Sequence, residues 1–196
     1  SPEDGTPTPT PTVESTETAD SDDSTLRATL GDARATKNLN PLAIEFRNGS
    51  SVTNLLYDSL GRWVDGRVRP WLAAEWEWHE GAGDAGPRAT VTLRDDVEWH
   101  DGTALTVGDV TFTYRFLRDT SLGTGQNPVP APNYLSETSL VDSVWAGVDG
   151  RLEIQFRPVS RRVATRAFTV PVLPEHVWAS RSKQATIAGI DTSVDV

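Results

Sequence analysis

Two alternating runs of apolar and polar residues, joined by a glycine-rich stretch, constrain the fold of this chain more than any other feature. Trp76 and Trp78 alternate with charged side chains, and Ala89, Val91 and Leu93 alternate with polar ones. The joining stretch EGAGDAGP, residues 80–87, is rich in turn-forming residues. Because successive side chains of a strand point to opposite faces, the pattern predicts an antiparallel hairpin with one buried face and both tryptophans in the core.

The rest of the folded part mixes short strands with helices. Asp65-Gly66 predicts a tight hairpin turn between residues 62–64 and 67–69. Thr106 and Asp109 have the spacing of a capping box, which predicts a helix starting there with Val110, Tyr114 and Leu117 on one face. Further elements are predicted as a strand at 26–32, a helix at 48–61 ending at Gly61, a strand at 152–157, and short helices starting near Ser160 and Pro174. No element is predicted after residue 180, and the whole is a mixed α and β domain.

The first 25 residues have a different composition from the rest. They alternate Pro and Thr, contain seven of the 28 acidic residues, and include no aromatic or basic residue. Such a segment buries too little apolar surface to offset its ordering entropy, so residues 1–25 are predicted to form a disordered linker. The remaining residues carry 21 acids against 18 bases, although the whole chain has a net charge of -10. This balance gives no basic surface for a nucleic-acid backbone, so no nucleic-acid partner is expected.

Composition also bears on the compartment. The chain contains no cysteine, which excludes disulfides and thiolate metal sites, and no apolar run approaches the length of a membrane span. It also contains no methionine, so Ser1 is not expected to be a translational start. We expect either that an export signal or lipid-anchor region belongs before it or that its boundary is artificial. Sixteen of the 18 basic residues are arginine, which indicates either a halophilic source or a GC-rich genome.

Residues with catalytic potential do not form a recognisable constellation. His100 and Asp101 are adjacent, so on an extended chain they point to opposite sides, and Asp101-Gly102 is first of all a turn signal. The three histidines are far apart and lack metal-ligand spacing, and no nucleotide-binding or nucleophile-elbow motif occurs. The seven tryptophans either line a ligand cleft or belong to the core. The residues alone therefore favour a binding protein or a scaffold, without a metal or cofactor.

A set of motifs in fixed order is more specific than any of its members. It comprises YDSL at 57–60, PWLAAEW at 70–76, LRDDVEWHDG at 93–102, LTVGDVTFTY at 105–114 and, further on, LPEH at 173–176. In this order the motifs resemble those of the extracellular solute-binding proteins, family 5, the oligopeptide-, dipeptide- and nickel-type receptors of ABC transporters. The resemblance covers residues 26–178.

The resemblance implies a two-lobed, type II periplasmic-binding-protein fold of the α/β class. Residues 26–196 would form the first lobe, with 43–148 as an inserted subdomain of antiparallel hairpins and helices and with 26–42 and 149–196 as the lobe proper. Members of the family are several hundred residues long, so the second lobe would lie outside this sequence. The HDG turn and the helix after it would be scaffold.

The family's activity implies a monomeric, non-enzymatic receptor outside the cytoplasm, held by an N-terminal lipid anchor. It would capture a peptide-like solute between closing lobes and deliver it to an ABC permease. The loop after the first strand would line the cleft at Asp32, Ala33 and Arg34, and Thr169 is a further ligand-lining candidate. Two other interpretations of the residues stay open: a secreted hydrolase using His100 and a carboxylate, and a non-catalytic interaction domain on a stalk.

Overall fold

A computed structural model describes residues 40–42, 56–81 and 83–179, and the backbone of 184–187 and 190–195. All of these residues lie within one compact unit, Asp32–Val196. The predicted linker at 1–25 and the predicted strand at 26–32 lie outside the described residues.

Strands and short helices alternate along the described part of the chain. In chain order they are β1 (Gly61–Val64), β2 (Arg67–Pro70), β3 (Ala73–His79), β4 (Arg88–Leu93), α1 (Val107–Arg118), a 3-10 turn (Pro132–Tyr134), α2 (Leu135–Thr138), β5 (Val141–Ala146), β6 (Leu152–Phe156), α3 (Arg161–Ala164), a 3-10 helix (Thr165–Thr169), α4 (Glu175–Trp178), β7 (Gln184–Ile187) and β8 (Ile190–Asp195). The mixed α and β fold predicted from the sequence is confirmed.

A four-stranded antiparallel sheet, in the order β3-β4-β6-β5, forms the centre of the fold. The predicted hairpin is its first half, with Trp76 opposite Val91 and Trp78 opposite Ala89. Both indoles are partly buried against the core, where each lies within 6 Å of the Phe168 ring, centroid to centroid. Strand β6, which follows residue 148, pairs with both β4 and β5. The predicted division of the lobe at residue 148 stays a prediction.

The β1–β2 hairpin turns at Asp65-Gly66, as predicted. Val64 pairs with Arg67, which leaves two residues in the loop, and both have positive φ angles of 50° and 73°. Two consecutive left-handed residues are the requirement of a type I′ turn, and they explain why Asp-Gly occupies this position.

Helix α1 begins where the capping box predicted it. The Thr106 hydroxyl accepts a hydrogen bond from the Asp109 backbone N–H, and the Asp109 carboxylate accepts one from the Thr106 backbone N–H. Val110, Tyr114 and Leu117 are buried, as the helical periodicity predicted. The helix packs against β5, α2 and α4, so this face forms the core together with the inner face of the sheet.

The structure differs from the predicted elements in several places. The predicted 48–61 helix does not reach Gly61: Leu56 is helical, Ser59 forms a β-bridge with Pro171, and Gly61 opens β1. The reason is a long-range contact, since the Asp58 carbonyl accepts a hydrogen bond from the Val172 N–H at 2.8 Å. Strand β5 was not predicted. Val141 is its only fully buried residue, so the strand lacks the alternation of buried and exposed positions that predicts a strand. The β7–β8 hairpin was not predicted either.

Thr90 was predicted on the solvent face of β4 but is buried. Its hydroxyl lies 2.9 Å from His79 Nε2 and donates a hydrogen bond to the Glu153 carboxylate at 2.9 Å. These neighbours on β3 and β6 cover the hydroxyl and bond to it, which the alternation along β4 alone does not show.

Among the described residues, no helix is both long enough and apolar enough to cross a membrane.

Candidate functional site

A short helical segment, residues 132–138, contacts both Pro41 and the 3-10 helix that contains the ligand-lining candidate Thr169. The Tyr134 hydroxyl donates a hydrogen bond of 3.0 Å to the Pro41 carbonyl, at the end of the loop predicted to line the cleft. Burial is the main reason that the pKa of Tyr134 is raised to about 12, with contributions from Tyr57 and Glu137. The phenol therefore remains a neutral donor to the Pro41 carbonyl at physiological pH.

The other side of the segment holds the 3-10 helix that contains Thr169. On α2, the Glu137 carboxylate lies 3.2 Å from the Arg166 guanidinium, which belongs to that 3-10 helix. The Thr169 hydroxyl donates to the Arg166 carbonyl at 2.9 Å. The segment 132–138 therefore contacts Pro41 through Tyr134 and the 3-10 helix through Glu137.

Of the predicted ligand-lining residues, the structure describes only Thr169. Asp32, Ala33 and Arg34 lie outside the described residues. Thr169 is half-buried at the end of the 3-10 helix, with its hydroxyl engaged in a local hydrogen bond. Its contact with a ligand stays a prediction.

Polar side chains of α1 hold the segment that follows the 3-10 helix. The Asp109 carboxylate accepts a hydrogen bond from the Glu175 backbone N–H at 2.9 Å, and the Thr113 hydroxyl accepts one from the Leu173 N–H at 2.8 Å. The next residue, Tyr114, is fully buried, and its hydroxyl donates to a backbone carbonyl at 2.7 Å. The polar residues of the TVGDVTFTY helix therefore act as structural anchors.

The HDG turn has the same structural role. The Gly102 N–H donates to the Trp99 carbonyl at 2.9 Å, and Gly102 has a φ of 82°, so the predicted turn is confirmed. Asp101 accepts a hydrogen bond from the Thr103 N–H and lies 2.7 Å from Nε2 of His176 at the start of α4. The Thr103 N–H, followed by His176, lowers the pKa of Asp101 to about 2.

This pairing bears on the hydrolase interpretation. The carboxylate next to His100 is engaged by His176, and His100 itself is exposed on the turn. Within the part of the chain that the structure describes, no carboxylate forms an ion pair with His100, so the His–carboxylate couple of a hydrolase is not seen there. Sequence reasoning missed the partnership with His176 because the two residues are 75 positions apart. Within the described ranges, no group of three or more potential metal ligands occurs.

Comparison with known proteins agrees with the motifs. Residues 67–157, from β2 to the end of β6, match the family model described as bacterial extracellular solute-binding proteins, family 5 Middle. No curated protein sequence matches the chain.

Three solved structures show the same fold. CtaP from Listeria monocytogenes, an ABC transporter substrate-binding protein, is 25% identical with a TM-score of 0.53, over 78% of this chain and 27% of its own. The oligopeptide-binding protein AppA from Bacillus subtilis, solved with a nonapeptide, is 22% identical with a TM-score of 0.52, over 67% and 24%. NikZ from Campylobacter jejuni, solved with Ni(L-His), is 24% identical with a TM-score of 0.51, over 65% and 24%.

The aligned part spans about a quarter of each of these proteins. The type II fold predicted from the sequence is confirmed by this likeness. The motif order, the capped helix with its anchors and the family match over residues 67–157 agree, and they show that this chain is similar to part of the bacterial extracellular solute-binding proteins of family 5.

Proposed function

We propose that this chain belongs to the substrate-binding component of an ABC transporter, which captures a peptide-like solute and presents it to a permease. The observation that carries the proposal is the family match, which covers a continuous structural unit from β2 to β6. CtaP is itself a substrate-binding protein of an ABC transporter, and AppA was solved with a nonapeptide.

The described polar groups support binding without catalysis. The side chains of Asp109, Thr113 and Tyr114 are buried and bonded to backbone groups of other segments. The pair Asp101–His176 joins a turn to α4. A carboxylate or hydroxyl that is hydrogen-bonded in this way stabilises the fold and is not available to a substrate. The contacts of the described residues therefore do not favour the hydrolase alternative.

In this proposal residues 26–196 form the first lobe, and a second lobe supplied elsewhere in the protein completes the cleft. Solute would bind between the lobes and be enclosed by hinge closure. Asp32, Ala33 and Arg34 would line one part of the cleft and Thr169 another. The segment 132–138 would hold both parts in register through Tyr134 and Glu137.

The cellular setting follows from the same role. A receptor that collects solute for import works outside the cytoplasm, as the family description "extracellular" says of its members. We propose an N-terminal lipid anchor, with residues 1–25 as an extended tether between membrane and lobe. The receptor would act as a monomer.

Thermal unfolding of the full product of the gene tests the proposal. Pools of dipeptides to nonapeptides, and separately Ni(L-His), are added, and the midpoint temperature is recorded. A ligand that binds the folded protein at about 100 times its Kd stabilises it by about 2.7 kcal/mol, so the matching pool should raise the midpoint by several degrees. No shift with any pool would contradict the proposal.

A matched pair of variants tests Thr169. Thr165 and Thr169 lie on the same 3-10 helix, and each hydroxyl donates to a nearby backbone carbonyl. Thr169→Val should weaken binding of the identified solute, whereas Thr165→Val should not. Equal affinities in the two variants would remove Thr169 from the site.

A further inference from the structure

The β1–β2 hairpin and α3 together form an open groove of about 570 Å³ on the surface. Trp63 and Val68, directly opposite each other across the hairpin, line one wall, and Arg162 and Thr165 line the other. Arg67 stands at the hairpin end of the groove. We call this surface the hairpin groove.

The hairpin groove is more cationic than the chain as a whole. Two guanidiniums, those of Arg67 and Arg162, line it against one carboxylate, that of Asp65. Neither arginine forms an ion pair with any residue in the described part of the chain. Asp65 lies in the left-handed turn of the hairpin. In a chain with a net charge of -10, an unneutralised pair of arginines indicates a surface that recognises negative charge.

Exposed apolar side chains adjoin these charges. Trp63 is 57% exposed and Val64 is 48% exposed, although both are large hydrophobic residues. Tryptophan and arginine are the residue types that contribute most to binding energy at protein interfaces. A small molecule in its own pocket is mostly enclosed, whereas this indole remains open to solvent, so an occupant must cover the groove from outside.

From these observations we propose that the hairpin groove docks an acidic segment of a partner protein, with carboxylates on Arg67 and Arg162 and an apolar side chain on Trp63. Each carboxylate can form paired hydrogen bonds with a guanidinium, and the ring face of Trp63 shelters the apolar side chain. The proposal is independent of the solute, because Thr169, the ligand-lining candidate that the structure describes, does not line the groove.

A labelled peptide tests the groove directly. The probe is a fluorescein-labelled peptide of alternating Glu and Leu with blocked ends, and its match carries Gln in place of Glu. Fluorescence anisotropy with the full product of the gene should show saturable binding of the acidic probe only, weakening as salt is added. Failure of the acidic probe to bind more tightly than the Gln probe would overturn the proposal.

Variants separate the groove from a solute cleft that accepts the same peptide. The double variant Arg67→Gln/Arg162→Gln should raise the Kd of the acidic probe by about tenfold or more, and Arg67→Lys/Arg162→Lys should recover part of the loss. Arg115→Gln, at an exposed arginine of α1, also removes a positive charge but should leave the Kd unchanged. Unchanged binding in the double variant would place the peptide elsewhere and overturn the proposal. Equally tight binding of blocked single glutamate would overturn it in favour of a small-anion site.

Discussion

Asp109 on α1 and Glu175 at the start of α4 are joined by a hydrogen bond of 2.9 Å from the Glu175 backbone N–H to the Asp109 carboxylate. The same carboxylate accepts hydrogen bonds from the backbone N–H and the hydroxyl of Thr106. One buried side chain therefore caps the principal helix and fixes a segment 66 residues away in sequence. The helix cap and the tertiary contact should be lost together.

We expect Asp109→Ala to lower the free energy of unfolding by about 2–3 kcal/mol, since it removes a helix cap and leaves a buried N–H group without its acceptor. Urea unfolding measures the change. Asp95→Ala, at an exposed aspartate, is the control and should change stability by less than about 0.5 kcal/mol. Similar losses for the two variants would contradict the anchoring role of Asp109.

Tyr114→Phe should destabilise the protein by about 1–2 kcal/mol, because the Ala167 carbonyl then loses its buried donor. The ring itself remains, so the change isolates the hydroxyl. Tyr134→Phe removes a hydrogen bond that is only partly buried, and it should cost less. Equilibrium denaturation of both variants would refute this ranking if Tyr134→Phe proved the more damaging.

Burial also raises the pKa of Tyr114 well above its ordinary value of 10.0. Its phenol should therefore stay protonated in the folded protein at alkaline pH and ionise only on unfolding. Ultraviolet absorbance during a base titration, compared between the wild-type protein and Tyr114→Phe, measures this. A group that titrates near 10 in the folded state and disappears in the variant would disagree with the buried hydroxyl.

Asp101 should titrate near pH 2, below its ordinary pKa of 3.8. Because the folded form has the lower pKa, the unfolded chain takes up the proton first as pH falls. The stabilisation from Asp101 is therefore complete above about 3.8 and is lost as pH falls through about 2. Carboxyl-detected NMR should show a higher midpoint in His176→Gln that still lies below 3.8, since the Thr103 N–H makes the larger contribution. A wild-type midpoint at 3.8 would show that neither contact persists in solution.

Gly66→Ala should cost about 1 kcal/mol, although nothing lies within 4 Å of the added methyl group. The cost comes from the backbone alone, since the φ of 73° is strained for a residue with a side chain. Asp65→Asn, at the neighbouring left-handed position, should be close to neutral because asparagine tolerates this conformation. Thermal melts of both variants test the turn, and a neutral Gly66→Ala would mean that the turn is not type I′.

Local patterns predicted the elements whose signals are contained in a few neighbouring residues. The Asp65-Gly66 turn, the Thr106–Asp109 cap and the alternation of Trp76 and Trp78 all depend on residues close in sequence. The motif order then indicated the family. The predictions that failed concerned residues with distant partners. The carbonyl of Asp58 accepts a hydrogen bond from the Val172 N–H, and the chain is not helical there as the local pattern predicted.

The candidate site shows the same division. The turn at Asp101 was predicted, but its bond to His176 was not, since no local signal connects positions 75 residues apart. Likewise Thr90 follows the alternation of β4 yet is buried by His79 and Glu153 on the flanking strands. The roles of Asp32, Ala33, Arg34 and Thr169 remain predictions from the family resemblance.

Recovery of the bound peptide tests the central claim most directly. The full product of the gene is dialysed against a defined peptide pool, and retained peptides are identified and quantified by mass spectrometry. The proposed receptor should retain a subset in stoichiometric amount and release it chemically intact after denaturation. Retention of no peptide, or cleavage that disappears in His100→Ala, would contradict the account.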